Sequence, residues 1–87
     1  MTQENLKVND YYSTADLSLA TTLALYHPID SIDRQNPHKA QFMFKRSEQL
    51  DQLIEAYWKG ELKVNPATYF QQLKTIKARL YEERQSW

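Results

Sequence analysis

The chain has one glycine, Gly60, and three prolines, Pro28, Pro37 and Pro66, in 87 residues. Glycine takes left-handed backbone without steric cost, whereas proline fixes its own φ and turns the residue before it away from helix. The places where this backbone can change course are therefore few and marked. Between the marks the chain must run in regular segments, and each can be read from its apolar period.

The segment before Pro28 carries Leu17, Leu19, Ala20, Leu23, Ala24 and Tyr26 on one broad helical face. Ser13, in STAD, is placed to cap this helix, with Asp16 in the positively polarised first turn. Pro28 ends it near Tyr26 or His27. Upstream, Asp10 to Tyr12 reads either as a short edge strand or as a docked aromatic pair. Residues 1–9 read as a mobile lead-in to one domain over residues 10–87.

After Pro28 helical spacing is lost, and Ala40, Phe42 and Phe44 alternate with Gln41, Met43 and Lys45. This predicts an antiparallel β-hairpin turning at Gln35 to His38, where Asn36 and Pro37 supply the turn chemistry. Two strands are marginal alone, so the Phe42/Phe44 face must lie on helices.

Ser47 then caps a second helix, along which Leu50, Leu53, Ile54 and Tyr57 occupy positions i, i+3, i+4 and i+7. Gly60 falls where a left-handed C-terminal residue is wanted, just past Lys59, whose charge suits the negative helix end. Asn65 and Pro66 are the complementary start signal. The dense stretch AYWKGELKVNP is thus a joint between helices, with Leu62 and Val64 fastening it to the core. A third helix runs from Pro66 to about Arg84 and carries a narrow stripe of Tyr69, Leu73, Ile76, Leu80 and Trp87. The expected fold is a small single-domain α+β structure, a two- or three-stranded antiparallel sheet on three helices, in the order (β)-α-β-β-α-α.

Hydrophobic residues at 41% and aromatics at 13% suffice for one small core, and the length is too short for two. Eleven basic and eleven acidic side chains cancel, which removes the global electrostatic case for a nucleic-acid coat or a membrane-surface protein. The balance is uneven along the chain, however. Residues 1–58 hold five Lys/Arg against eight Asp/Glu, net −3, and residues 59–87 hold six against three, net +3.

The absence of cysteine excludes disulfides, thiolate zinc sites and thiol nucleophiles, and suits a cytoplasmic protein. No run of apolar residues is long enough to span a membrane. A single glycine excludes glycine-rich phosphate loops, and the serines lack a nucleophile-elbow context. His27, Asp30, Asp33 and His38 form the one cluster with ligand or acid/base character. Their spacing matches no zinc motif, and each histidine adjoins a proline in a turn region, so loop surface is the preferred reading. No catalysis, metal or cofactor is expected.

The better candidate is the last helix. At about 100° per residue, Lys74, Lys77, Tyr81 and Arg84 gather on one flank of the apolar stripe, with Phe70 at the same edge. Cations interleaved with aromatics suit phosphates and bases, or an acidic protein surface; the bland counterpart is a solvated face whose lysine stems cover core edges. Lys39, Lys45 and Arg46 around the hairpin extend this surface if the hairpin lies beside the helix; otherwise they guard an exposed strand against edge pairing. Trp58, at the margin of the second helix's stripe, reads either as a lid on the core or, with Tyr57 and Phe70, as a partner anchor.

Five pieces together, TADLSLATTL from Thr14, IDRQNP from Ile32, FMF from Phe42, AYWKGELKVNP from Ala56 and LKTIKARLY from Leu73, carry a resemblance. Over nearly its whole length the chain resembles a small bacterial and phage family classified only as a domain of unknown function. It departs where Asp30 and Ser31 stand in place of a glycine before IDR. The resemblance implies a stand-alone module of mobile-element origin, with Asp33, Arg34, Asn36 and Pro37 matching the turn motif and Lys74, Lys77 and Arg79 the final-helix motif. It brings no activity or cofactor. The expected function is a non-catalytic accessory or adaptor subunit that contacts nucleic acid or a nucleoprotein complex. The alternative is a protein-binding module without nucleic-acid contact, either a phage-derived inhibitor or a self-associating homodimer.

Overall fold

Phe42 and Phe44 project to the same side of their strand, and both are almost fully buried. The strand that carries them is the middle of the sheet. In the computed structural model, which describes residues 10–36 and 38–85 with side chains to residue 81, the elements are β1 (Tyr11–Thr14), α1 (Leu17–Ala24), β2 (Ser31–Asp33), β3 (Gln41–Lys45), α2 (Glu48–Trp58) and α3 (Pro66–Gln85). The three strands form one antiparallel sheet in the order β1-β3-β2. The small α+β architecture is therefore as expected, and the upstream segment is a strand.

Pairing Tyr12 with Phe44, and Phe42 with both Thr14 and Ile32, gathers the inward side chains on one sheet face. Ser13, Met43 and Ser31 line the other face. Because β3 is paired on both sides, Lys39, Lys45 and Arg46 cannot be guards of an exposed edge; β1 and β2 are the edges. The β2–β3 turn closes at Asn36, whose carbonyl accepts from Lys39 N–H at 3.1 Å and whose side chain accepts from His38 N–H at 2.9 Å. The Pro37 contribution lies outside the described residues.

Extension of β1 to Thr14 moves the first helix cap. Ser13 is a strand residue opposite Met43, and Asp16 caps α1 instead, its Oδ1 accepting from Ser18 and Leu19 N–H at 3.0 and 3.2 Å. Thr14 Oγ1 in turn accepts from Asp16 N–H at 3.0 Å. At the other end α1 stops at Ala24, ahead of the limit set by Pro28, because the Leu25 and Tyr26 N–H groups switch to carbonyls three residues back. Tyr26 thereby leaves the core face and is 51% exposed.

α1 lies at the centre of the helical layer, and α2 and α3 each pack against it. Leu19, Ala20, Thr21, Thr22 and Leu23 are all buried, so the helix is covered nearly all round. The two threonine hydroxyls donate to Leu17 O and Ser18 O at 2.7 and 2.9 Å, which satisfies them within their own helix. The core joins Leu19, Ala20, Leu23, Phe42, Phe44, Leu50 and Ile76, with Tyr12, Leu53, Ile54, Tyr57 and Leu80 packed around it.

The joint between α2 and α3 follows its local chemistry. Ser47 Oγ accepts from Leu50 N–H at 3.0 Å and starts α2. Gly60, at φ 72°, ends it in a Schellman arrangement: Gly60 N–H donates to Tyr57 O and Glu61 N–H to Ala56 O. Asn65 Oδ1 accepts from Ala67 and Thr68 N–H at 2.9 and 3.0 Å and opens α3. Leu62 and Val64 are half-buried in the connection.

Candidate interaction surface

α3 is 20 residues long, about 30 Å, and packs by a narrow seam: Ile76 is buried, while Tyr69, Gln72, Leu73 and Leu80 are half-buried. At helical spacing Phe70, Lys74, Lys77 and Tyr81 fall on the flank beside this seam, within an arc of about 60°. All four are exposed. Phe70 and Tyr81, at 58% and 50%, are among the most exposed large apolar side chains described, and they bracket the two lysines.

Lys74 Nζ sits over the Phe70 ring at 5.4 Å from its centroid. Lys77 has no partner among the described residues, and positions 66–81 contain no acidic side chain to neutralise either lysine. The strip is thus a row of aromatic, cation, cation, aromatic held on a rigid helix. The Arg84 side chain, also expected here, lies outside the described residues, as does Trp87.

The hairpin cations are spread over both ends of β3. Lys39 precedes the strand, and Lys45 ends it, about 20 Å further along the chain. Arg46 pairs with Asp51 at 3.2 Å, and its N–H donates to Asp10 O at 2.6 Å. Lys45 and Arg46 line an open cleft with His27, Pro28, Ile29, Asp30 and Ser47. The three cations therefore do not act as one group.

Tyr57 and Trp58 separate in role. Tyr57 is half-buried against the core, and its hydroxyl meets Ser18 Oγ at 3.0 Å, so it is not a free anchor. Tyr69 donates its hydroxyl to the same Ser18 Oγ at 3.5 Å, tying α1, α2 and α3 at one point. Trp58 stacks edge-on against Tyr57, ring centroids 5.0 Å apart, and is 64% exposed. That exposure overturns the lid reading: the flank of α2 where Trp58 stands turns away from α1.

The histidine and aspartate cluster is not assembled. The His27 ring Nε2 meets Lys45 O at 3.2 Å and Asp30 N–H donates to Met43 O at one end of β2. Asp33 lies at the other end, opposite Gln41, and accepts from Gln35 N–H; His38 lies beyond it in the turn. Among the described residues no three His, Asp or Glu side chains could together hold a metal ion.

One perturbed group lies on the sheet. Burial raises the Tyr12 phenol above its ordinary pKa, with Arg46 acting against the shift and Asp16 adding to it.

Sequence reasoning missed Arg34. Its Nη2 donates to Leu80 O at 3.1 Å, so the β2–β3 turn is fixed to the last third of α3. A cation in a turn gives no signal of such a reach. Both residues do fall in pieces that carried the family resemblance.

The family model described as Domain of unknown function (DUF5659) matches residues 9–82. The chain belongs to that family. The DUF5659 match takes in all three strands, α1, α2 and the part of α3 that bears both the Arg34 contact and the exposed strip. Neither a curated protein nor a solved structure matches the chain. No helix among the described residues is long and apolar enough to cross a membrane.

Proposed function

We propose that this DUF5659 domain is a non-catalytic protein-binding module whose docking surface is the outer flank of α3. The observation that carries this reading is the strip Phe70, Lys74, Lys77 and Tyr81, fully presented on a helix that uses its other side for folding. Rigid exposed aromatics supply contact area at low entropy cost, and two cations with no acidic partner among the described residues favour an acidic partner surface. The non-catalytic part is supported by the use of His27, Asp33 and Asn36 in backbone contacts and turns.

A second reading, contact with single-stranded nucleic acid in a nucleoprotein complex, draws support from the same strip, since aromatics beside cations suit bases and phosphates. Two lysines give a small electrostatic footprint, and Lys45 and Arg46 stand at the end of β3 opposite the turn that meets α3. The protein reading is therefore preferred.

The test is a capture experiment from cell lysate with the wild-type domain and with Lys74→Glu/Lys77→Glu as baits, before and after nuclease treatment. Capture that survives nuclease and is lost in the variant supports protein docking on α3. Capture abolished by nuclease transfers support to the second reading. Equal capture by both baits would sink the α3 assignment altogether.

A further inference from the structure

The exposed flank of α2 is the electrostatic counterpart of the α3 strip. Along α2, Glu48, Asp51, Glu55 and Trp58 are all exposed and fall within an arc of about 80°. They extend over about 15 Å of helix, and the α3 strip from Phe70 to Tyr81 covers about 16 Å. The step from Glu48 to Asp51 equals that from Lys74 to Lys77, three residues in each case. One strip is three carboxylates ending in a tryptophan; the other is two lysines between aromatics. Of the four most exposed large apolar side chains described, Trp58, Phe70 and Tyr81 lie on these two strips.

The strips are not satisfied by each other within one chain. α2 and α3 pack against α1, and neither lysine of the strip pairs with an α2 carboxylate. Asp51 does hold Arg46, and Glu55 holds Lys59, both at 3.2 Å. These four side chains are about half exposed, so the pairs are weak and can give way to a partner's cations. Glu48 has no ion pair among the described residues.

We infer that the acidic partner of the α3 strip is the α2 strip of a second copy of this chain, with Trp58 as the apolar anchor of the contact. This rests on the protein-docking reading of α3 and names its partner. Each copy offers one strip of each sign, so two copies either close reciprocally or continue head to tail. Both arrangements bury the same helix pair.

The test is sedimentation of the full chain over a wide concentration range at low and high salt. Wild type should gain mass with concentration, less so at high salt. Lys74→Glu/Lys77→Glu alone and Asp51→Lys/Glu55→Lys alone should each stay monomeric, and their equimolar mixture should regain the heavier species. Circular dichroism of each variant checks that it is folded, and Trp58→Ala serves as a variant that weakens association without altering charge. A wild type that stays monomeric throughout, or a mixture that fails to recover, overturns the inference. If it is overturned while the α3 variant still loses nuclease-resistant capture from lysate, the docking reading survives with a different partner. Loss of both leaves neither.

Discussion

α1 and α3 spend their surfaces in opposite ways. Five consecutive residues of α1 are buried, two of them threonines, in a helix of eight residues. α3 is more than twice as long and buries Ile76 alone among its described side chains. The short helix is marginal by itself and is held by what packs around it, with Ser18 left exposed. The long one needs only a seam to stay in place. Its outer flank of Phe70, Lys74, Lys77 and Tyr81 stays exposed, and the docking strip lies there.

The largest expected effect separates the two seams. Leu23→Ala in α1 should cost about 2–5 kcal/mol, since its neighbours on every side limit collapse into the cavity. Ile76→Ala in α3 should fall at the lower end of that range, because one side of its helix is open to solvent and can relax. Urea unfolding of both variants decides this, and equal losses would erase the distinction.

Next in size is Gly60→Ala, expected to lose about 1–2 kcal/mol. No atom beyond its own chain neighbours lies within 4 Å of the added Cβ, so the cost is that of a left-handed backbone alone. Asn at the same position should lose less, and thermal unfolding of the pair would show it. The capping residues give a similar contrast at the start of α1: Asp16→Ala should cost about 1 kcal/mol, and Ser13→Ala within about 0.5 kcal/mol.

These pairs also mark what was legible in the sequence. Ser47, Gly60 and the Asn65–Pro66 start were readable because each acts on backbone groups within four residues of itself. The alternation around Phe42 and Phe44 was readable because a strand's faces follow from period two. What escaped was decided elsewhere in the chain. Pairing with Met43 and Phe42 drew Ser13 and Thr14 into β1, and Asp16 took over the cap. Thr21 and Thr22 are buried because helices lie on both sides of α1, a fact their own neighbours do not encode. The α3 flank was legible as a projection. Its exposure and the outward turn of Trp58 were not, since both depend on which faces α1 covers, and the reach of Arg34 was not, since it depends on where the β2–β3 turn meets α3.

A smaller effect concerns pH. The Tyr12 phenol has a raised pKa in the folded chain, so the native state keeps a proton that the unfolded chain releases. Stability contributed by this group is complete below the ordinary tyrosine range and is lost as pH rises through the folded pKa. Unfolding midpoints should therefore decline above about pH 10, and Tyr12→Phe should flatten that decline. Identical slopes for both proteins would detach Tyr12 from it.

The smallest stability change is expected on the α3 strip itself, within about 0.5 kcal/mol for Lys74→Glu/Lys77→Glu. The most direct measurement of the account is a backbone and side-chain NMR dilution series of the full chain. On concentration, shifts should change at Phe70, Lys74, Lys77 and Tyr81 together with Glu48, Asp51, Glu55 and Trp58, leaving Leu19, Leu23 and Phe44 still. Changes confined to the sheet edges, or none at any concentration, would contradict the assignment of α3 and α2 as complementary docking surfaces.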